Sequence, residues 1–283
     1  SPVGRAIAAD DVRPGASLWL TGQGSTRNQD NNYRATIFGS NYAYDLGTRQ
    51  DFFNLQGGVD FGLSPVAVVG LTAGVGSSVL QVSGGTGQFN YKSFNVGAYG
   101  RFDAGMVFGN ALVRYERYRI GVQSINGGYF LNTRGHAYGA RGELGLRLGS
   151  GNITFEPLVS LDYARVKLDG FNALGTTFNF GEPDGLRGKA GVRFGTVLSD
   201  APSQITLYGR AMAVREFRGN DRLTLINSGT TLVFNATRPR TYGEGAVGLN
   251  IEKGGVRGFI EGSSEFAGGV RGYGGRAGIA VRF

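Results

Sequence analysis

The strictest constraint in this sequence is its period. Apolar and polar residues alternate one for one through most of the chain. In residues 53–63, Phe53, Leu55, Gly57, Val59, Phe61 and Leu63 form one face, and Asn54, Gln56, Gly58, Asp60 and Gly62 form the other. Val69, Leu71, Ala73 and Val75 oppose Gly70, Thr72, Gly74 and Gly76; Phe94, Val96, Ala98 and Phe102 oppose Asn95, Tyr99, Arg101 and Asp103. Ile153, Phe155, Pro157, Val159, Leu161 and Tyr163 oppose Thr154, Glu156, Ser160 and Asp162. Leu186, Ala190, Val192 and Phe194 oppose Arg187, Lys189 and Arg193, and Val247, Leu249 and Ile251 oppose Glu244, Gly248, Asn250 and Glu252. Successive side chains of a strand point to opposite faces, so a period of two means strands. About twelve such runs of roughly 10–16 residues occur, longer than the strands of a globular domain. The length suits the ~9–11 residues that a tilted strand needs to cross a bilayer, with some overhang. Two stretches read less cleanly: residues 111–119 carry charge on both faces, and residues 255–266 admit either register.

The connections sort into two kinds. Short ones fall at Leu63-Ser64-Pro65, Ala104-Gly105, Gly149-Ser150-Gly151-Asn152, Ser199-Asp200-Ala201-Pro202 and Lys253-Gly254-Gly255. Long ones cover residues 26–50, 82–90, 121–133, 169–182 and 218–240; only the last, near residues 267–270, is short where a long one is due. Short turns at one end and long loops at the other mark an outer-membrane barrel. Ionisable residues crowd the polar faces, while the opposing faces are almost uncharged at mid-strand and rich in Gly and Ala. A soluble barrel turns its apolar faces inward and must fill its interior, which Gly and Ala do poorly. The expected fold is therefore an all-β, transmembrane, antiparallel β-barrel of about twelve strands with its apolar faces toward lipid. Its lumen is expected to be lined by Arg101, Asp103, Arg141, Glu143, Glu156, Arg187, Lys189, Arg193, Arg210, Glu216 and Glu244, each carboxylate balancing a neighbouring cation. Residues 3–12 are Ala-rich, carry Asp10 and Asp11, and precede Pro14-Gly15. They suit a short helix of about 15 Å, stopped by Pro14. Residues 1–15 are read as a linker inside the lumen, plugging it through Asp10 and Asp11, and residues 16–283 as the barrel.

Composition narrows the chemistry. The 283 residues include 51 Gly but only 7 Pro, without a collagen repeat. The longest apolar run, residues 66–71, is far short of a membrane helix. Mean hydropathy is slightly negative, as alternating strands require. Cys is absent, which removes disulfides and thiolate metal sites and suits an oxidising envelope. The 29 Lys and Arg against 21 Asp and Glu are scattered along strands, with no basic run, so nucleic acid is not an expected partner. His136 is the one histidine. A metal site wants several His or Cys, and a hydrolase triad wants a His beside Ser and a carboxylate; no G-x-S-x-G occurs. Gly22-Gln23-Gly24 and Gly272-Tyr273-Gly274-Gly275 open no helix, so neither is a phosphate loop. No cofactor, metal or catalytic residue is expected. The chain opens Ser1-Pro2-Val3-Gly4-Arg5 without an apolar h-region, as a mature or truncated product does.

At the other end, Ala277, Ile279, Val281 and Phe283 alternate with Arg276, Gly278, Ala280 and Arg282. Gly278-Ile279-Ala280-Val281-Arg282-Phe283 resembles the closing strand of the autotransporter β-domain family. Phe155-Glu156-Pro157-Leu158-Val159-Ser160-Leu161-Asp162-Tyr163, followed by Leu168-Asp169-Gly170-Phe171, is similar to that family's middle strand and its loop. Leu207-Tyr208-Gly209-Arg210 and Arg215-Glu216-Phe217 resemble its strand ending in an acidic–aromatic pair, and Ser17-Leu18-Trp19-Leu20 its first strand. The resemblance spans residues 16–283. It implies a twelve-stranded barrel with a helix threading the lumen, in the Gram-negative outer membrane. It implies type V secretion, in which the barrel carries its own upstream passenger domain to the cell surface. The implied partners are the lipid bilayer, that passenger, and the barrel-assembly machinery, which reads Ile279, Val281 and Phe283; the expected state is a monomer. Some members cut themselves between two Asn residues, and residues 3–14 contain no Asn, so no self-cleavage is expected. The alternative left open is a stand-alone porin or surface-binding barrel.

Overall fold

The computed structural model describes residues 15–29, 32–37, 40–45, 47–82, 87–123, 130–150, 152–173, 176–180, 184–218, 221–227, 230–236 and 241–283. Asp10, Asp11 and the expected N-terminal helix lie outside these residues. The principal strands are β1 (Gly15–Gln29), β2 (Thr48–Ser64), β3 (Ala67–Val82), β4 (Gly87–Ala104), β5 (Val107–Gln123), β6 (Phe130–Leu146), β7 (Ile153–Leu168), β8 (Asp184–Ser199), β9 (Gln204–Arg218), β10 (Thr241–Lys253), β11 (Val256–Phe266) and β12 (Val270–Arg282). Leu148–Ser150 prolongs β6 past a break at Arg147 and pairs with the same neighbour, β7. Counting it with β6, the thirteen-member sheet is a ring of twelve staves. Each pairs antiparallel with the next, and β12 pairs with β1 through Leu18↔Val281, Trp19↔Ala280 and Leu20↔Ile279. The Phe283 N–H donates to the Ala16 carbonyl at 2.9 Å and completes the seam.

The alternation read from the sequence sorts the two surfaces. Leu71 is 58% exposed and its neighbour Thr72 only 5%. The same inversion holds for Val159 against Ser160 and Ile260 against Glu261. Apolar residues on the outside and polar ones within is the arrangement that hydrocarbon selects. Aromatic rings on the inner face sit directly across from glycines of the adjoining strand: Trp19↔Gly58, Tyr99↔Gly70, Phe108↔Gly145, Tyr208↔Gly248 and Phe259↔Gly278. At Gly58 a Cβ would stand 2.5 Å from the Trp19 ring, and at Gly248 one would stand 2.5 Å from the Tyr208 hydroxyl. The rings lie where side chains are missing, which accounts for part of the glycine content.

The turn at residues 254–255 settles the register of 255–266. Both glycines have positive φ, 58° and 82°, as a two-residue hairpin turn requires. Lys253 therefore pairs with Val256, and Gly248 with Glu261, which places Glu261 on the inner face. In β5, Glu116 and Ile120 are buried inside, while Arg117 and Arg119 point outward near the loop end. Strands run from 11 to 18 residues, so they overrun the bilayer and shorten the connections after Val82 and Gln123. Three long connections contain strands of their own. Phe171–Ala173, Thr176–Phe180, Asp221–Asn227 and Thr230–Ala236 form a four-stranded sheet beyond the barrel, and Asn32–Ile37 pairs with Ser40–Asp45.

Val159 stands at mid-strand on the outer wall. Val159→Arg is expected to lower the unfolding free energy of the lipid-embedded barrel by about 2–4 kcal/mol, and Ser160→Arg, one residue along on the inner face, by less; urea titration of vesicle-folded protein measures both.

Candidate functional site: the barrel lumen

The inner face has two chemically distinct sectors. On β1–β4 it is mostly neutral. Gln56 Nε2 donates to Thr72 Oγ1 at 2.8 Å and to Asn95 Oδ1 at 3.0 Å, and Asn54 Nδ2 donates to Gln56 Oε1 at 3.3 Å. Thr72 Oγ1 passes the chain on to the Gly57 carbonyl at 2.9 Å. All four side chains are buried, and Gln56 at the centre is tolerable there because its nitrogen and its oxygen both find partners. Toward the short-turn end, Trp19 Nε1 donates to Tyr99 Oη at 2.7 Å and to Asp60 Oδ1 at 3.2 Å, and the Tyr99 hydroxyl donates to the same carboxylate. Arg101 faces inward with Asp60 and Asp103 as its acidic neighbours. Trp19, Tyr99, Tyr208, Phe259 and Ala280 pack together there as an apolar layer.

The remaining sector is ion-paired from strand to strand. Arg147 reaches Asp103 at 2.9 Å and Glu156 at 3.0 Å, and Arg193 pairs with the other oxygen of Glu156. Both guanidiniums lie against the Phe108 ring, 5.5 and 5.6 Å from its centre. Arg141 joins Glu143 at 3.1 Å to Asp162 at 3.5 Å. Lys189 Nζ meets both Glu244 oxygens at 2.7 and 2.8 Å, and Arg187 meets Glu216 at 2.8 Å. Arg210 and Arg276 share Glu261, at 3.4 and 2.8 Å. Between Glu156, Lys189, Arg193, Arg210, Glu244 and Glu261 a space of about 100 Å³ remains.

Arg101, Asp103, Arg141, Glu143, Glu156, Arg187, Lys189, Arg193, Arg210, Glu216 and Glu244 stand on the face opposite the exposed apolar rows. Among the charged residues that the sequence left unassigned to a face are Glu116, Glu261 and Glu265. The signal for Glu261 was present: the Gly254-Gly255 turn fixes its parity against Gly248. His136 points to the outer wall, its ring 5.7 Å from Tyr138 and 6.3 Å from Tyr115. Ile279 and Phe283 are exposed on the outside of the closing strand. Among the described residues no three His, Asp or Glu side chains gather as a metal site.

Residues 18–261 match the family model described as "Autotransporter beta-domain". No curated protein matches the chain in sequence. Among solved structures, the translocator domain of the autotransporter NalP from Neisseria meningitidis superposes with a TM-score of 0.70 at 21% identity, covering 96% of this chain and 90% of that one. The transport unit of AIDA-I from Escherichia coli gives 0.73 at 15% identity, with 98% and 93% covered. The β-domain of the Bordetella autotransporter BrkA gives 0.70 at 18% identity, with 95% and 100% covered. At these identities the likeness is one of fold.

Removing one partner from a buried ionic group leaves the others uncompensated. Glu261→Gln is expected to cost about 3 kcal/mol of stability, the low end of the range because Arg210 retains 30% exposure. Combining it with Arg276→Gln should recover at least about 1 kcal/mol, a coupling that a double-mutant cycle by urea unfolding measures.

Proposed function

Since the chain belongs to the autotransporter β-domain family, we propose that it anchors in the outer membrane and exports an N-terminal passenger to the cell surface. The observation that carries this reading is the position of the first strand. Gly15 pairs with Gly62 beside the turn at residues 65–66, so β1 starts at the short-turn end, which faces the periplasm in outer-membrane barrels. A passenger that precedes residue 1 and ends up outside must then be joined to β1 by chain running through the lumen. Residues 1–14 span up to about 46 Å at 3.3 Å per residue, more than the ~25 Å apolar band of such a barrel.

In this reading residues 1–15 are the linker and 16–283 the barrel. The inner-face cations and carboxylates, from Arg101 and Asp103 through Glu244, hold the lumen in shape, and Asp10 and Asp11 pair with lumen arginines to seat the linker as a plug. The barrel works as a monomer and transports rather than catalyses. Its closing strand, through Ile279, Val281 and Phe283, is what the barrel-assembly machinery reads; an outward-facing apolar row ending at the seam supports this.

Single-channel recording in planar bilayers tests the plug. The full chain is expected to show a small, flickering conductance, and deleting residues 1–14 is expected to raise it severalfold. A large, steady conductance from the intact chain overturns the plug and favours an open porin.

A further inference from the structure

The outer wall carries one feature that lipid-facing alternation does not require. On four consecutive strands, β4 to β7, the outward positions near the loop end hold Lys92, Arg117, Arg119, Arg134, Arg165 and Lys167, all exposed. Backbone register gathers them into adjoining rows. Lys92 is opposite Arg119, which is opposite Arg134; Arg117 is opposite His136, which is opposite Lys167; Tyr138 is opposite Arg165. Three strand spacings make the patch about 14 Å wide. Within these four strands no Asp or Glu occupies an outward position; acids stand at the edge of the patch, Asp184 opposite Arg165 on β8, and Asp169 just past β7 with its N–H donating to the Arg134 carbonyl. The other described outward charges toward the loop end are mixed in sign: Arg49 pairs with Asp51 at 3.4 Å and Arg218 with Asp184 at 3.2 Å, and Arg215 and Arg271 lie on β9 and β12.

The depth of the patch is marked by the residues below it. Tyr115 and Tyr138 project outward one step nearer the membrane centre, their rings 5.3 Å apart, with Phe94 and Val96 on the neighbouring strand. Outward aromatics of this kind form the girdle at the bilayer interface. Lys92, Arg117, Arg119 and Arg134, beyond this girdle on β4–β6, therefore stand at headgroup level, on the side of the membrane that carries the long loops. Like charges packed this closely repel one another unless anions lie among them. Phosphate esters fixed at headgroup depth supply those anions, and an Arg fork matches them with two hydrogen bonds each.

We infer that this patch binds the phosphates of a phosphorylated glycolipid in the outer leaflet, so that one side of the barrel holds a defined lipid. The inference rests on the outer-membrane placement proposed above. The conductance measurement does not sense the outer wall, so the two readings fail separately.

The test uses the full chain folded in dodecyl maltoside micelles. It is titrated with a lipid bearing a bis-phosphorylated disaccharide headgroup and, separately, with the dephosphorylated form, and bound lipid per barrel is read by native mass spectrometry. The phosphorylated form is expected to bind at least about tenfold more tightly. K92Q/R117Q/R119Q/R134Q should erase that preference, whereas R215Q/R271Q on other strands should retain it. Equal binding of the two lipids to the unaltered chain overturns the inference, as does an undiminished preference in the fourfold variant. Should the fourfold variant fail to fold, the comparison of the two lipids on the unaltered chain still decides.

Discussion

In hydrocarbon a backbone N–H has nothing to bond with except another backbone, and the rest of this structure depends on that. A sheet meets the demand only by closing on itself. Closure forces β12 against β1, and the seam runs to the last residue, where the Phe283 N–H reaches Ala16. Closure also assigns the faces. Once the outside belongs to lipid, every polar side chain that alternates with the apolar ones must point into the lumen, and the lumen must be made habitable for charge.

The inner face achieves this locally. Ion pairs form between staves that already lie side by side or one strand further round: Lys189 on β8 with Glu244 on β10, Arg276 on β12 with Glu261 on β11. Because strand spacing fixes those distances, each pair needs little side-chain ordering beyond what the barrel imposes. Arginine stems and guanidiniums also cover aromatic rings, as at Phe108 and Phe259, so the wide fork is held on one side by carboxylate and on another by a π-face. The glycines opposite those aromatics complete the packing. Without a Cβ at Gly58 or Gly248, the Trp19 and Tyr208 rings can lie against the sheet.

The faces and the strand count were legible because both follow from a period of two. Leu71 and Thr72, or Val159 and Ser160, declare their sides without reference to any partner. The ion pairs were not legible, since each joins residues far apart in sequence, and a partner is known only once register is known. Glu261 shows the dependence. Its side was undecided until the Gly254-Gly255 turn was read as a two-residue hairpin, and then its place beside Arg276 followed from the strand pairing. Residues 111–119 misled for another reason. Arg117 and Arg119 put charge on a lipid-side face, but at a height beyond the apolar band, so alternation should be weighed together with distance from the short turn. The strands Thr176–Phe180 and Asp221–Asn227 were read as loop because their pairing partner comes from a different connection, which no local pattern announces.

Twelve is an even number, and this has a consequence for transport. Antiparallel staves reverse direction at each step, so an even-membered ring returns the chain to the end from which it set out. Gly15 and Phe283 accordingly lie together at the short-turn end. A domain fused ahead of β1 thus begins on the periplasmic side, and only a segment passing up the lumen connects it to the outside. Much of the wall that such a segment meets is tied up within the barrel: Gln56 bonds to Asn54, Thr72 and Asn95, and Glu156, Glu244 and Glu261 are ion-paired. Under the reading proposed above, a passing chain would find few strong sites at which to stick, while a resting linker would share its carboxylates with arginines of the ring. One inner face would then suit both passage and a resting linker, because its charges are held by the barrel rather than waiting for the cargo.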